Sequence, residues 1–192
     1  MLVGLLRKVY KDTSITSIMK KIVWANKSNG QLCVTIPKGA GIREGEIVTL
    51  SKEKVRNIVY STVVGDLFHY GHLQHLEKAN SLGDLHICGV LTDNAALEYR
   101  KKPIANFEER RAIISNLRCV DMVMAQTTLD PSENLKKIKE QFPDSELILV
   151  HGDNWKRIPG ENFIKKVRGK IIKIPYYKKL SEEYINKENL KK

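Results

Sequence analysis

Short runs of apolar, mostly β-branched residues alternate along most of this chain with segments in which apolar residues recur every three or four positions. The runs predict strands at 58–64, 85–91, 120–125, 147–151 and 170–174. The other segments predict helices at 71–82, 107–117, 131–141 and 181–190. Such alternation is typical of a parallel sheet with crossover helices. We therefore predict an α/β domain over residues 57–192, with helices on both faces of its sheet.

Residues 1–56 follow a different pattern. After an irregular start, apolar segments at 19–24 and 32–36 predict two strands of a hairpin, because Asn29-Gly30 between them is a common hairpin turn. A third apolar segment follows at 46–50. We predict a small β-rich extension that needs a partner surface in order to fold.

Composition indicates the cellular compartment in which the protein resides. Hydrophobic residues make up 42% and charged residues 29% of the chain, and no apolar run approaches the roughly 20 residues of a membrane span. The N-terminal apolar residues precede their charges, which is the wrong order for a secretory signal. The three cysteines are dispersed, which argues against a disulfide framework and a zinc site. We expect a cytoplasmic protein without a membrane partner.

The net charge of +11 is unevenly distributed. Residues 1–56 hold 11 of the 33 Lys and Arg residues but only 4 of the 22 Asp and Glu residues. A basic chain of this kind binds nucleic acid or small anions such as nucleotides and phosphates.

The candidate chemistry begins where the first predicted strand of the α/β domain leads into a helix. His69 and His72 lie three residues apart with Gly71 between them, so both side chains would share one face of the first helical turn. The unpaired N–H groups of that turn attract phosphate, and imidazole adds further donors. Gly71 lets a phosphate approach the backbone. These features predict a nucleotide triphosphate cradle.

More polar residues follow the other predicted strands, whose carboxyl ends form the binding edge of a parallel sheet. Thr92 and Asp93 follow the second strand, and the basic run Arg100–Lys102 comes next. That run would neutralise a triphosphate and its leaving pyrophosphate, although a solvated loop is the alternative. Gly152 and Asp153 suit a sugar or base, and Trp155 offers a stacking surface.

Asp66–His72, DLFHYGH, resembles the HxGH signature of the cytidylyltransferases, a branch of the nucleotidyltransferase superfamily with a Rossmann-like fold. The resemblance implies that Asp93, the basic run and Arg110 occupy positions of the family's motif residues. It also implies that Asp153 and Trp155 help to form the nucleotide site. Relatives end in an arginine- and serine-rich phosphate-binding string, where this chain has Tyr176 in place of arginine and keeps only the Ser181 hydroxyl.

Together these arguments predict a full set of site residues. The catalytic set is His69, His72, Arg100, Lys101 and Arg110. The nucleotide-binding set is Val63, Val64, Gly65, Asp66, Gly71, Thr92, Asp93, His151, Gly152, Asp153, Trp155, Tyr176 and Ser181. Mg²⁺ is the expected cofactor, held through substrate phosphates and not by a protein cage.

Three strings, at 89–93, 126–130 and 151–156, resemble the cytidylyltransferases associated with phosphoenolpyruvate mutase in phosphonate pathways, as do the Tyr-basic-Pro loop at 99–103 and the tyrosine in place of arginine at 176. This resemblance implies transfer of CMP from CTP to a small phosphonate, such as 2-hydroxyethylphosphonate or 2-aminoethylphosphonate, with release of pyrophosphate. The string QTTLD at 126–130 discriminates most, because it has no evident sheet-building function. The alternatives are a phosphomonoester acceptor such as glycerol-3-phosphate or phosphocholine, and an adenylyl-transferring relative.

Residues Gly30–Leu50 resemble the swapped hairpin of AbrB-type regulators, through Ile36-Pro37-Lys38 and the segment 42–46. That resemblance implies a homodimer. It also leaves open a different class of function, a DNA-binding regulator that uses the hairpin and senses a nucleotide with its second domain.

Overall fold

The computed structural model describes residues 55–99, 102–175 and 177, preceded by five short strands within the first 52 residues. Two compact units make up the chain, Met1–Val55 and Arg56–Lys192.

In the first unit, strand β1 (Val3–Lys8) lies between β2 (Ser17–Ile22) and β5 (Thr49–Lys52) and is antiparallel to both. The prediction of an irregular start is therefore wrong. One partner of β1 is the next strand, but the other, β5, lies far along the chain, where a local pattern does not reveal it.

A second small sheet joins the two predicted hairpin segments. Strand β3 (Trp24–Ala25) pairs antiparallel with β4 (Leu32–Cys33), and Trp24 lies opposite Cys33. Most of the segment that resembles the swapped hairpin lies outside the described residues, so that resemblance and the homodimer remain predictions.

The second unit contains a parallel five-stranded sheet in the order β10-β9-β6-β7-β8. Its strands are β6 (Asn57–Val63), β7 (Leu85–Leu91), β8 (Met122–Gln126), β9 (Glu146–Gly152) and β10 (Lys170–Ile174). All five coincide with predicted strands to within two residues at either end, and the largest difference is that β8 begins at Met122 where residue 120 was expected. The apolar runs predict them well because a parallel sheet is covered on both faces.

Five helices connect or flank these strands in the described part of the unit: α1 (Tyr70–Asn80), α2 (Asp93–Tyr99), α3 (Phe107–Ser115), α4 (Ser132–Gln141) and α5 (Glu161–Lys166). The sequence predicted α1, α3 and α4 but not α2 or α5, which are too short for a clear periodic pattern. The predicted helix at 181–190 lies outside the described residues.

Helices cover both faces of the sheet, as predicted. Val59 packs against Ala79 of α1, whereas the neighbouring Tyr60 accepts a hydrogen bond from Asn134 of α4. Because successive strand residues point to opposite faces, α1 and α4 lie on opposite sides of β6.

The strand order decides where a ligand can bind. From the central strand β6 the chain proceeds to β7 and β8 on one side, then returns to β9 and β10 on the other. The crevice outside the carboxyl ends of β6 and β9 is the switch point at which sheets of this kind bind ligands.

Candidate active site

A pocket lies at this switch point. It is lined by Thr62, Val63, Val64, His69, Gly71, His72, His75, Leu91, Tyr99, Leu129, His151, Gly152, Asn154, Trp155, Pro175 and Tyr177. The structure therefore brings together eight residues that the sequence predicted, from the ends of β6 and β9 and the start of α1.

His69 and His72 cap the N-terminus of α1 for one another. The Gly71 N–H donates to His69 Nδ1 at 3.0 Å, and the His69 N–H donates to His72 Nδ1 at 3.3 Å. A ring nitrogen that accepts a hydrogen bond carries no proton, so each neutral ring carries its proton on Nε2. The caps thus make both Nε2 atoms hydrogen-bond donors on side chains that line the pocket.

Both rings are neutral at pH 7. Burial lowers the pKa of His69, and burial followed by the charges of His69 and His75 lowers the pKa of His72 to about 4. Phe68 stacks on the His72 ring with centroids 5.4 Å apart and restricts its rotation. The pair can donate two hydrogen bonds to an anion without carrying fixed charge.

Gly71 is required by the tight packing around it. A Cβ atom there would lie 2.9 Å from His69 Cε1 and 3.1 Å from Tyr177 Cδ1. Tyr177 also packs edge-on against Tyr70, with centroids 5.4 Å apart. Any larger residue would displace the His69 ring or Tyr177.

Two further histidines, His75 and His151, also line the pocket. Burial, then the charge of His151, lowers the pKa of His75 to about 4. Burial, then the charge of Lys173, lowers the pKa of His151 to about 4 as well. Sequence reasoning missed His75, although its spacing of three from His72 on a helix was the available signal.

Aromatic rings form another wall of the pocket. Tyr99 stacks on Trp155 with ring centroids 5.2 Å apart, and His151 meets the same indole edge-on at 4.6 Å. Tyr99 was not among the predicted site residues. The stacking surface predicted for Trp155 is therefore partly occupied by a residue of α2.

Arg110, a member of the predicted catalytic set, makes internal contacts in the structure. Its side chain is 0% exposed, and it does not line the pocket. Nε donates to Ala105 O, Nη1 donates to Val64 O and Leu91 O, and Nη2 donates to Asp93 at 2.6 Å. Arg110 ties the ends of β6 and β7 to the start of α3, so its geometry is that of a positioning residue.

Two predicted nucleotide-binding carboxylates also make internal contacts. Asp66 accepts the Ile104 and Ala105 N–H groups at 2.9 and 3.0 Å, and these bonds lower its pKa against the opposing effect of burial. Asp93 is 44% exposed, and its hydrogen bond from Arg110 lowers its pKa. Asp66 thereby holds the backbone of Ile104 and Ala105, which follow the basic run in sequence.

The other predicted residues fall into two groups. Gly65, Thr92 and Asp153 do not line the pocket. Gly65 adopts a φ of +72°, and a Cβ there would lie 2.6 Å from Ile114 Cδ1. Both the backbone conformation and the lack of space therefore favour glycine at this position. Arg100, Lys101, Tyr176 and Ser181 lie outside the described residues.

The QTTLD string has a structural explanation that the sequence did not reveal. Gln126 is 1% exposed and donates from Nε2 to Thr128 O and Leu129 O at 3.0 and 3.1 Å. Thr128 Oγ1 donates to Asp130 O, and Asp130 accepts the Ser132 N–H at the start of α4. The string builds the loop between β8 and α4, so it has a structural function outside the ladder of the sheet.

A parallel sheet with a helix N-terminus at its switch point is typical of proteins that bind nucleotide phosphates at the carboxyl ends of the strands. Residues 66–186 match the cytidylyltransferase-like family. The chain belongs to this family.

Individual relatives agree with this assignment. Glycerol-3-phosphate cytidylyltransferase of Bacillus subtilis is 30% identical over 132 residues, which cover 68% of this chain and 94% of that protein. Bifunctional protein HldE of Helicobacter hepaticus is 34% identical over 131 residues, or 66% of this chain. The matched region spans only 26% of that bifunctional relative.

A solved structure shares the fold. It is the lipopolysaccharide core biosynthesis protein of Thermoplasma volcanium, with a TM-score of 0.52 and 26% identity, covering 65% of this chain and 99% of that one. Among the described residues of the present chain, no helix has the length and apolar character needed to cross a membrane.

Proposed function

We propose that this enzyme transfers a cytidylyl group from CTP to the phosphate of a small phosphomonoester and releases pyrophosphate. The observation that carries the proposal is the pair of Nε2–H donors that the His69 and His72 caps create on the pocket wall. The similarity to glycerol-3-phosphate cytidylyltransferase over 94% of its length supports a phosphomonoester acceptor.

In the proposed reaction an oxygen of the acceptor phosphate attacks the α-phosphorus of CTP. The new O–P bond forms as the bond to the β-phosphate oxygen breaks, and pyrophosphate leaves with that electron pair. His69 and His72 donate hydrogen bonds to the non-bridging α-phosphate oxygens. Because the rings are held in place by the backbone, they need no reorientation as charge develops.

Mg²⁺ remains part of the proposal as an ion carried by the nucleotide. Among residues 55–99, 102–175 and 177, no group of three or more His, Cys, Asp or Glu side chains is arranged to hold a metal. Both oxygens of Asp66 are already engaged by backbone N–H groups. When bound, the ion would neutralise phosphate charge, and its ligands would come from the triphosphate and water.

The phosphonate acceptor is the weaker of the two candidates. Its most discriminating support was the QTTLD string, which the structure accounts for through the loop that Gln126 organises. The similarity to the phosphonate-pathway enzymes therefore rests on the strings at 89–93 and 151–156, the Tyr-basic-Pro loop at 99–103 and the tyrosine at 176.

A substrate panel tests the proposal. CTP and ATP are each combined with glycerol-3-phosphate, phosphocholine, 2-hydroxyethylphosphonate and 2-aminoethylphosphonate, and pyrophosphate release is measured with and without Mg²⁺. We expect release with CTP and a phosphomonoester. Pyrophosphate release only with a phosphonate would show that the proposed acceptor is wrong. Pyrophosphate release only with ATP would show that the proposed nucleotide is wrong.

A further inference from the structure

Thr62 lies on the pocket wall at the end of β6, next to the β9 side of the switch point. Its register position follows that of Ser61, which pairs with Val150, so Thr62 and His151 come next along their strands. Thr62 was not among the residues that the sequence predicted. What its hydroxyl can offer a ligand depends on a buried hydrogen-bond network beneath it.

The centre of this network is Gln126, whose amide orientation is determined by its surroundings. Its Nε2 group faces two backbone carbonyls, Thr128 O and Leu129 O, which can only accept. The Gln126 Oε1 atom must therefore face the opposite way. There it accepts from Tyr60 Oη at 2.9 Å and from Thr62 Oγ1 at 3.0 Å.

The same logic determines the direction of the neighbouring bonds. Asn134 Nδ2 donates to Ala125 O and to Tyr60 Oη, both at 2.9 Å. Burial raises the pKa of Tyr60, so its hydroxyl keeps the proton that it donates to Gln126. Every member of the network has a defined donor or acceptor role, and none can reverse without leaving a buried polar group unpaired.

The consequence for the pocket concerns the single proton of the Thr62 hydroxyl. Because an amide oxygen carries no hydrogen, Thr62 must use that proton in its bond to Gln126 Oε1. Thr62 Oγ1 then has only lone pairs to offer a ligand. We propose that Thr62 is a specificity-determining residue, which accepts a hydrogen bond from a hydroxyl or amino group of a substrate and disfavours a carbonyl oxygen at that position.

This inference rests on the proposed function for the identity of the ligands, and the donor group has two possible sources. On the nucleotide it is the exocyclic amino group or a ribose hydroxyl. On the acceptor it is a hydroxyl of the carbon chain. Matched compounds separate the sources: UTP lacks the amino group of CTP, 2′-deoxy-CTP and 3′-deoxy-CTP each lack one ribose hydroxyl, and propyl phosphate lacks the hydroxyls of glycerol-3-phosphate.

The test compares the wild-type chain with Thr62→Val and Thr62→Ser. Valine is β-branched like threonine, and Gln126 Oε1 keeps the Tyr60 hydroxyl in that variant, so β6 should fold unchanged. Serine keeps the hydroxyl and serves as the matched control. Binding of each compound is measured by titration calorimetry, which does not depend on turnover.

We expect Thr62→Val to weaken binding of one donor-bearing compound about 10-fold while its matched analogue binds equally to both proteins. Thr62→Ser should stay within about twofold of wild type for the same compound. The inference is overturned if Thr62→Val changes no pair selectively, including the case in which it weakens every compound equally.

The failure of the proposed function looks different. In that case none of the panel substrates releases pyrophosphate. The selective effect of Thr62→Val on binding is measured separately by calorimetry, and its outcome does not depend on pyrophosphate release.

Discussion

His69 and His72 each supply the Nδ1 acceptor that caps a backbone N–H group at the N-terminus of α1, from Gly71 and from His69 respectively. These two hydrogen bonds therefore stabilise the helix terminus, and each assigns the proton of one ring to Nε2. Structural and chemical functions coincide in the same two side chains, but they use different ring nitrogens. Substitutions that mimic one nitrogen at a time can separate the two functions.

The first prediction uses this separation at His72. Replacement by alanine removes both nitrogens, and loss of one transition-state donor should lower kcat by about 10²–10³ with a much smaller effect on CTP affinity. Replacement by asparagine places an acceptor near the position of Nδ1 but offers nothing at Nε2. We expect both variants to lose kcat, and only alanine to lower the thermal unfolding temperature.

Steady-state kinetics, CTP titration and thermal denaturation of the three proteins make this comparison. Normal turnover in His72→Asn would show that Nε2 is not used. A glutamine variant provides the complementary control, since its amide reaches towards the position of Nε2 and leaves the cap unfilled.

The second prediction concerns Arg110. Arg110→Met should lower the free energy of unfolding by about 3 kcal/mol or more, because three backbone carbonyls would lose a buried donor. Asp93→Asn should cost much less, since Asp93 is 44% exposed. Urea denaturation of both variants measures the difference. A fully stable Arg110→Met protein without activity would instead favour direct phosphate contact.

The third prediction is a loss of stability in acid. His72, His75 and His151 each have a pKa of about 4 in the folded chain, below the ordinary value of 6.5. Between these values the unfolded chain binds more protons, so stability rises with pH. The free energy of unfolding should therefore fall as the pH is lowered from 6.5 to 4, by at most about 3 kcal/mol for each histidine.

Urea titrations at several pH values between 7.5 and 4.5 measure this slope. His75→Gln has no titrating group at that position and should give a shallower dependence. An unchanged slope in this variant would exclude His75 as a contributor.

The fourth prediction tests the network beneath Thr62. A Cβ on Gly89 would lie 2.0 Å from Tyr60 Oη and 2.5 Å from Gln126 Oε1. Gly89→Ala should therefore destabilise the protein by about 2–3 kcal/mol. In a Tyr60→Phe background the nearest clash is absent, so the same substitution should cost less. Additive effects of the two substitutions would contradict the proposed contact.

Most of the second unit could be predicted from the sequence alone. The β-branched runs determined the parallel strands, because a strand buried on both faces must be apolar throughout. The motif Asp66–His72 identified the phosphate-binding helix terminus, because the helix N-terminus and its flanking histidines are neighbours in sequence. Local patterns predict interactions that are local in the chain.

Only the tertiary structure decided the functions of residues whose partners are distant in sequence. Arg110 proved to be a buried tie between strand ends, and Gln126 proved to be the centre of a network that reaches from β6 to α4. Their side chains are as polar as those of ligand-binding residues. Polarity shows that a group needs a partner, but only the folded chain determines whether that partner is the substrate or the protein itself.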